Sequence, residues 1–277
     1  MASALQFDRA KAAAVREVFF ELVGRRPGKA ELAFFVKKDY SLAQIVEVVC
    51  KTYKQECEQR AEEAAGKLPL TLAIFAKDNE DSIALPIQNM GGLVREVVVV
   101  DTGSTDKTVE VAESLGARVY RVGFSDFGSI RTVTALLGTQ QWVLGLDSDE
   151  ILAPEELDQL APLLLEDVPA WGLPRRRWAD LGRTEQVELE AYPDRQYRLL
   201  RRTPDNVYRN RVHERLDCLG GVPAKEADGP HIEHFQDVFK KGQRLVDRNN
   251  LYKDLYSKDT ADGILRDTPA VAPMDER

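Results

Sequence analysis

The chain has 277 residues, room for one large or two ordinary domains. Hydrophobic residues make up 43% and charged ones 30%, which excludes both a disordered chain and a lipid-soluble one. Thirty-eight Lys and Arg against 46 Asp and Glu leave a net charge of −8, so nucleic-acid binding through a broad basic surface is excluded as a main function.

The cysteines, Cys50, Cys57 and Cys218, are odd in number and unpatterned, which argues against a disulfide framework or structural zinc. Residues 1–10 hold Asp8 and Arg9 but no basic patch followed by an apolar run. No apolar stretch reaches the ~20 residues that cross a bilayer. The expectation is a cytoplasmic protein with no transmembrane segment and no nucleic-acid partner.

Taken in chain order, Val15, Val18, Phe19, Leu22 and Val23 recur at helical spacing and predict a helix from a cap at Asp8 to Gly24. Ser41-Leu42-Ala43-Gln44 has the capping-box spacing. Leu42, Ile45, Val46 and Val49 then continue one face toward an Ala/Glu-rich stretch ending at Gly66. Residues 1–66 are expected to form a small helical unit whose chemistry is uninformative. From Lys67 the texture changes. Residues 70–76, 97–100, 118–122 and 142–146 are short apolar runs about one helix apart, the alternation of a doubly wound α/β sheet. Near-continuous apolarity in Val97-Val98-Val99-Val100 suits a strand covered on both faces.

Ligands of such sheets bind beyond the strands' carboxyl ends. Three loops follow strands there, and all are acidic: Lys77-Asp78-Asn79-Glu80, Asp101-Thr102-Gly103-Ser104-Thr105-Asp106 and Asp147-Ser148-Asp149-Glu150. Residues 171–215 reverse the balance, with 11 Arg against seven acids. Residues 258–277 are polar and rich in Asp and Pro, and a flexible tail is expected after a domain spanning 67–257.

Asp147 and Asp149 can turn two carboxylates toward one point, which invites a divalent cation. Hard oxygen ligands suit Mg2+ or Mn2+, held by one or two carboxylates plus substrate phosphates. The same spacing also suits a solvated acidic turn opening a helix at Pro154. Asp101, at a strand end, can accept two hydrogen bonds from a ribose or a base edge, and equally its loop can serve only as a helix cap with a turn glycine. An ion held by so few carboxylates has open positions that the imidazole of His213 suits; His231 and His234 form a second cluster.

Together these segments resemble the inverting family 2 glycosyltransferases of the GT-A fold over about residues 68–235. They are similar in particular to a bacterial branch with a Lys-Asn-Glu-Glu loop, Val-Asp-Thr-Gly-Ser-Thr-Asp and Leu-Asp-Ala-Asp-Glu. Here the chain reads Lys77-Asp78-Asn79-Glu80, then Val100-Asp101-Thr102-Gly103-Ser104-Thr105-Asp106, then Leu146-Asp147-Ser148-Asp149-Glu150. Pro193-Asp194-Arg195-Gln196-Tyr197-Arg198-Leu199-Leu200-Arg201-Arg202 resembles the family's Pro-Asp-x-Gln-x-Arg-Leu-Phe-Arg-Arg, and Val212-His213-Glu214 its His-Glu. Thr132 stands where the family has Asn, Asp78-Asn79 replaces Asn-Glu, and Leu200 replaces Phe.

The resemblance implies a GT-A mixed sheet flanked by helices. It implies an enzyme that moves a sugar with inversion from a nucleoside-diphosphate donor, a UDP-sugar, to a hydroxyl on an acceptor: a protein, lipid carrier or glycan. Asp78, Asp101, Asp106, Arg131, Asp147 and Ser148 would then face the donor, with Asp149, Asp147 and His213 as metal ligands. Asp194 would be the general base on the acceptor side, with Glu190, Glu188 and Glu185 as fallbacks. Trp171, Trp178 and Arg175-Arg176-Arg177 fall where such folds build the acceptor pocket.

Two other readings compete. An apolar strand followed by Asp-x-Asp also opens the haloacid-dehalogenase-like phosphatases, where the first Asp attacks phosphorus. That motif opens its domain and carries Thr or Val two positions after the second Asp; here three strands precede it and Ile151 stands there. A non-catalytic GT-A-like module that binds a nucleotide or glycan is the other.

Overall fold

The computed structural model describes residues 2–262 apart from 24, 39, 190 and 191. The chain divides into two compact units, Met1–Lys67 and Leu68–Arg277.

The first unit holds helices α1 (Ala2–Val23), α2 (Lys29–Lys37), α3 (Leu42–Thr52) and α4 (Lys54–Ala64). α1 starts well before the expected cap at Asp8, because no Gly or Pro lies between to break it. Gly24, its expected stop, lies outside the described residues. The capping box forms as the spacing predicts: Gln44 N–H donates to Ser41 Oγ at 3.3 Å and Ser41 N–H to Gln44 Oε1 at 2.9 Å. Tyr53, at φ −117° and ψ 42°, splits the expected continuous stretch into α3 and α4. Val15, Val18, Phe19 and Val23 close a core with Phe35, Ile45 and Val49. The ring of Phe19 meets Phe35 and Tyr53 edge-on at 5.7 and 5.2 Å, so the helical period of α1 reads directly as its packed face.

The second unit alternates β1 (Leu68–Ala76), α5 (Ala84–Met90), β2 (Val94–Asp101), α6 (Thr108–Ser114), β3 (Arg118–Arg121), α7 (Phe127–Leu137) and β4 (Trp142–Leu146). Then come β5 (Glu150–Leu152), a 3-10 turn (Pro154–Gln159), α8 (Leu160–Leu163), β6 (Ala170–Trp178), β7 (Gln186–Val187) and β8 (Asp194–Arg201). β9 (Asn206–Arg209), β10 (Arg215–Cys218), β11 (Lys225–Glu226), β12 (Ile232–His234), α9 (Gln236–Phe239) and α10 (Gln243–Ala261) complete it. Among the described residues ten strands form one sheet, in the order β3-β2-β1-β4-β8-β6-β12-β5, with β7 and β11 on β6; β9 and β10 pair separately.

The sheet is parallel from β3 to β4; β8 then joins β4 antiparallel, β6 joins β8 antiparallel, and β11 and β12 join β6 parallel. This mixed sheet flanked by helices is the arrangement the GT-A resemblance implies, and a wholly doubly wound sheet is not what forms. The parallel half is dry. Val98, Val99 and Val100 are buried, as is every residue of β4, because helices cover both faces. Trp142 and Trp171 reach into this core and donate their indole N–H groups to the carbonyls of Leu164 and Leu163, each at 3.0 Å.

α10 runs through Lys258 to Ala261, beyond the point where the sequence suggests a tail. The reason is Asp259: fully buried, it accepts the backbone N–H of Arg211 at 2.8 Å and its guanidinium at 3.1 Å. Residues 263–277 lie outside the described residues. The three cysteines are free. Among the described residues no helix is long and apolar enough to cross a membrane.

Candidate active site

The parallel strands end on a cleft of about 1460 Å³. Its floor is the loop after β4, which carries Asp147, Ser148 and Asp149; β5 begins at Glu150, so the acidic turn joins two strands rather than opening a helix. Asp147 is held by two arginines. Arg131 of α7 donates to it at 2.9 Å, and the fork of Arg198 on β8 meets both its oxygens at 3.2 and 3.4 Å. Burial opposes the charge of Asp147, but Arg131 and Lys240 outweigh it and hold the carboxyl below its ordinary value. Arg131 is itself pinned by Glu214 at 2.7 and 2.9 Å, and lies between the rings of Phe75 and Tyr208.

Asp149 is treated differently. Its side chain is 1% exposed, yet neither oxygen receives a hydrogen bond. The Lys240 ammonium lies 2.7 Å from Oδ2 and the His234 Nε2 lies 3.6 Å away, also without a hydrogen-bond partner. Burial pushes against the charge here too, and His234 and Lys240 overcome it, so this carboxyl stays well below its ordinary value. Glu150 goes the other way: fully buried and beside Asp147, its carboxyl is pushed up, while it accepts the N–H of Asp147 at 2.9 Å.

His213, expected as an ion ligand, lines the same cleft but is exposed and stacks edge-on with Tyr252 at 6.0 Å. The histidine beside Asp149 is His234, at the end of β12. The cause is the turn between β9 and β10. There Asn210 and His213 both take positive φ, 68° and 51°, and Glu214 pairs with Arg131. That turn packs on the start of α7, where a Cβ on Gly128 would come within 2.4 Å of the Asn210 carbonyl.

The two other acidic loops are stitched to each other. Thr105 N–H donates to Asp78 at 2.7 Å, Glu80 N–H to Asp106 at 3.0 Å, and Lys107 N–H to Glu80 at 3.0 Å. Asp101, 3% exposed, accepts the N–H of Ser104 at 2.9 Å. Asp78 lines the cleft, with its own φ at 52°, whereas Asp101 and Asp106 do not and instead fix the loops that do. Ser148 also lines it and accepts from Ser82 Oγ at 3.3 Å.

Another wall is the first part of β8, where Asp194, Gln196 and Arg198 all line the cleft. Arg175 grips Asp194 through two nitrogens at 2.6 and 2.8 Å, and Gln196 donates to its other oxygen at 2.7 Å. Arg175 also stands 3.5 Å from Glu150, so it links Asp194 to the acidic turn. Arg175 and Arg177 face the cleft, while Arg176 points away to Glu156 and Glu233. Trp171 and Trp178 are not among the lining residues: the first is core, and the second donates to Glu233. Glu190 lies outside the described residues; Glu185 and Glu188 do not line the cleft. Sequence reading grouped His234 with His231 as a second cluster and preferred His213, and it passed over Arg198, Arg175 as the partner of Asp194, and Lys240.

Residues 86–221 match the model for Glycosyl transferase family 2. This stretch, from α5 to just past β10, is the part of the chain that resembles the family. The matched region includes Asp101, Arg131, Asp147, Asp149, Asp194 and His213 and leaves out β1, His234 and Lys240. An "Uncharacterized glycosyltransferase" of Rickettsia felis is 36% identical over 87 residues, 31% of this chain and 31% of that protein. A TPR repeat-containing protein of Synechococcus elongatus is 27% identical over 154 residues, 55% of this chain and 36% of that protein. The chain thus spans about a third of the length of these curated relatives. Among solved structures, glucosyl-3-phosphoglycerate synthase from Mycobacterium tuberculosis, in complex with Mg2+ and uridine diphosphate, is 24% identical with a TM-score of 0.34. That likeness covers 43% of this chain and 47% of the synthase.

The cleft has two features that suit a divalent cation: a buried carboxylate, Asp149, paired with a lysine but without a directed hydrogen bond, and an imidazole beside it. Among the described residues no group of three His, Cys, Asp or Glu side chains is arranged to hold a metal by itself. Mg2+ and Mn2+ commonly complete their shells with substrate phosphates, so two protein ligands at a cleft floor match that habit.

Proposed function

We propose that this domain transfers a sugar from a nucleoside-diphosphate donor to a hydroxyl acceptor, with inversion and with Mn2+ or Mg2+ as cofactor. The single observation that carries this is the contrast at the end of β4. Asp147 is saturated by the directed hydrogen bonds of two arginines, whereas Asp149 is buried with only the Lys240 ammonium and the His234 imidazole beside it. A buried carboxylate held charged by a lysine and an imidazole, without directed hydrogen bonds, suits exchange of the ammonium for a metal cation.

Asp149 and His234 would hold the ion, in place of the His213 expected from the motif, and the ion would supply Lewis-acid stabilisation of the departing diphosphate. The chain's own residues do the rest. Arg131 and Arg198 fix Asp147 and hold the acidic turn in one geometry, so little reorganisation is needed as charge develops. Asp78 and Ser148 line the donor side, with Asp101 and Asp106 acting through the loops they fix. On the acceptor side Asp194, oriented by Arg175 and Gln196, takes the proton of the attacking hydroxyl. Uridine diphosphate as the nucleotide follows from the motif resemblance; the acceptor is a protein, lipid carrier or glycan.

The test is thermal unfolding with nucleoside diphosphates, with and without Mn2+, because a ligand of the folded state raises apparent stability by mass action. A metal-dependent shift with uridine diphosphate is expected. Folded protein that shifts with no nucleotide would overturn the proposal.

A further inference from the structure

We propose that Lys240 competes with the divalent cation for Asp149: its ammonium neutralises the buried carboxylate and must be displaced before an ion can bind. This rests on Asp149 being a metal ligand. The two carboxylates of the turn are neutralised by different chemistry. Asp147 is clamped by Arg131 and Arg198, whose planar forks donate directed hydrogen bonds. Asp149 has a lysine 2.7 Å away that makes no hydrogen bond of proper geometry, and an imidazole at 3.6 Å. A compact charge on a flexible four-carbon stem compensates a buried carboxylate electrostatically and withdraws easily, whereas a bidentate arginine does not.

The placement of Lys240 fits exchange. Its side chain is 25% exposed, so it reaches the carboxylate from the solvent edge and can retract into water. It follows α9 directly and precedes Gly242, whose φ of +57° turns the backbone into α10 with open space around it. α10 in turn carries Arg248, Leu251 and Tyr252 on the cleft, and Arg244, which donates to the Asp78 carbonyl at 2.9 Å. Lys240 thereby sets how strongly the site attracts a cation.

The experiment is titration with Mn2+ alone, following free Mn2+ by electron paramagnetic resonance, on wild type, Lys240→Met, Lys240→Gln and Asp149→Asn, each checked for folding by circular dichroism. Both lysine variants should bind about tenfold tighter than wild type, the weight of one charge-assisted contact, and Asp149→Asn should lose the site. Binding detectable only in the lysine variants is the same result in stronger form. Equal or weaker affinity in both folded lysine variants, with Asp149-dependent binding intact in wild type, overturns the competition and leaves Asp149 a ligand. No Asp149-dependent binding in any variant overturns the competition and the metal reading together.

Discussion

Arg131 reaches Asp147 across 2.9 Å while its aliphatic and guanidinium surfaces are enclosed by Phe75 and Tyr208, so the first carboxylate of the acidic turn is fixed by a residue that is itself immobile. Arg131 is 5% exposed. Replacing it with Met leaves Glu214 and Asp147 facing each other without their shared cation. Removing one partner of a buried ion pair costs about 3 kcal/mol or more. Urea unfolding of Arg131→Met should show a lower midpoint with an unchanged slope; an unchanged midpoint would mean the arginine does not organise the turn.

Asp149→Asn keeps the shape of the side chain and removes its charge. The fold should survive, because the partner left without its carboxylate, the Lys240 ammonium, sits at the solvent edge and can turn into water. The stabilisation conferred by uridine diphosphate with Mn2+ should vanish, along with sugar transfer. An Asn variant that still shows the metal-dependent shift would move the ion elsewhere.

Asp194→Asn should lower the rate of transfer about 10²- to 10⁴-fold, the usual weight of a general base, and leave the donor-induced thermal shift intact. The amide can still meet Gln196, so loss of donor binding in this variant would point to a structural role for Asp194 instead.

The helical unit offers a pH test of its own. A hydrogen bond from Arg25, with others from Tyr53 and the Gly28 N–H, outweighs burial and holds the Glu31 carboxyl at about 2 instead of 4.5. A depressed folded value stabilises the charged form, so the contribution is fully present above 4.5 and is lost as pH falls toward 2. Glu31→Gln should therefore be less stable than wild type at pH 6, and the gap in melting temperature should close as pH drops through that window. A gap independent of pH would assign the loss to packing.

How far the sequence predicts this site depends on what each residue answers to. β1, β2 and β4 were legible because burial on both faces demands an unbroken apolar run, and the capping box at Ser41 because its spacing is local. Residues whose partners lie far along the chain were not. The role of Asp101 depends on the turn it bonds, that of His213 on the left-handed loop after Asn210, and the meeting of Asp149 with His234 on β12 pairing antiparallel to β5. Arg175-Arg176-Arg177 reads as one basic run; only the alternation of β6 sends the first and third to the cleft and the second away.

Asp259 ties the last turn of α10 to the Arg211 amide, one residue from Val212 and three from Glu214. Anyone trimming the chain for expression at residue 257, where composition alone suggests the domain finishes, would strip the acceptor from that amide and loosen the bend that presents Glu214 to Arg131. The polar C-terminal stretch thus begins as a brace for the bend that carries Glu214 to the cleft.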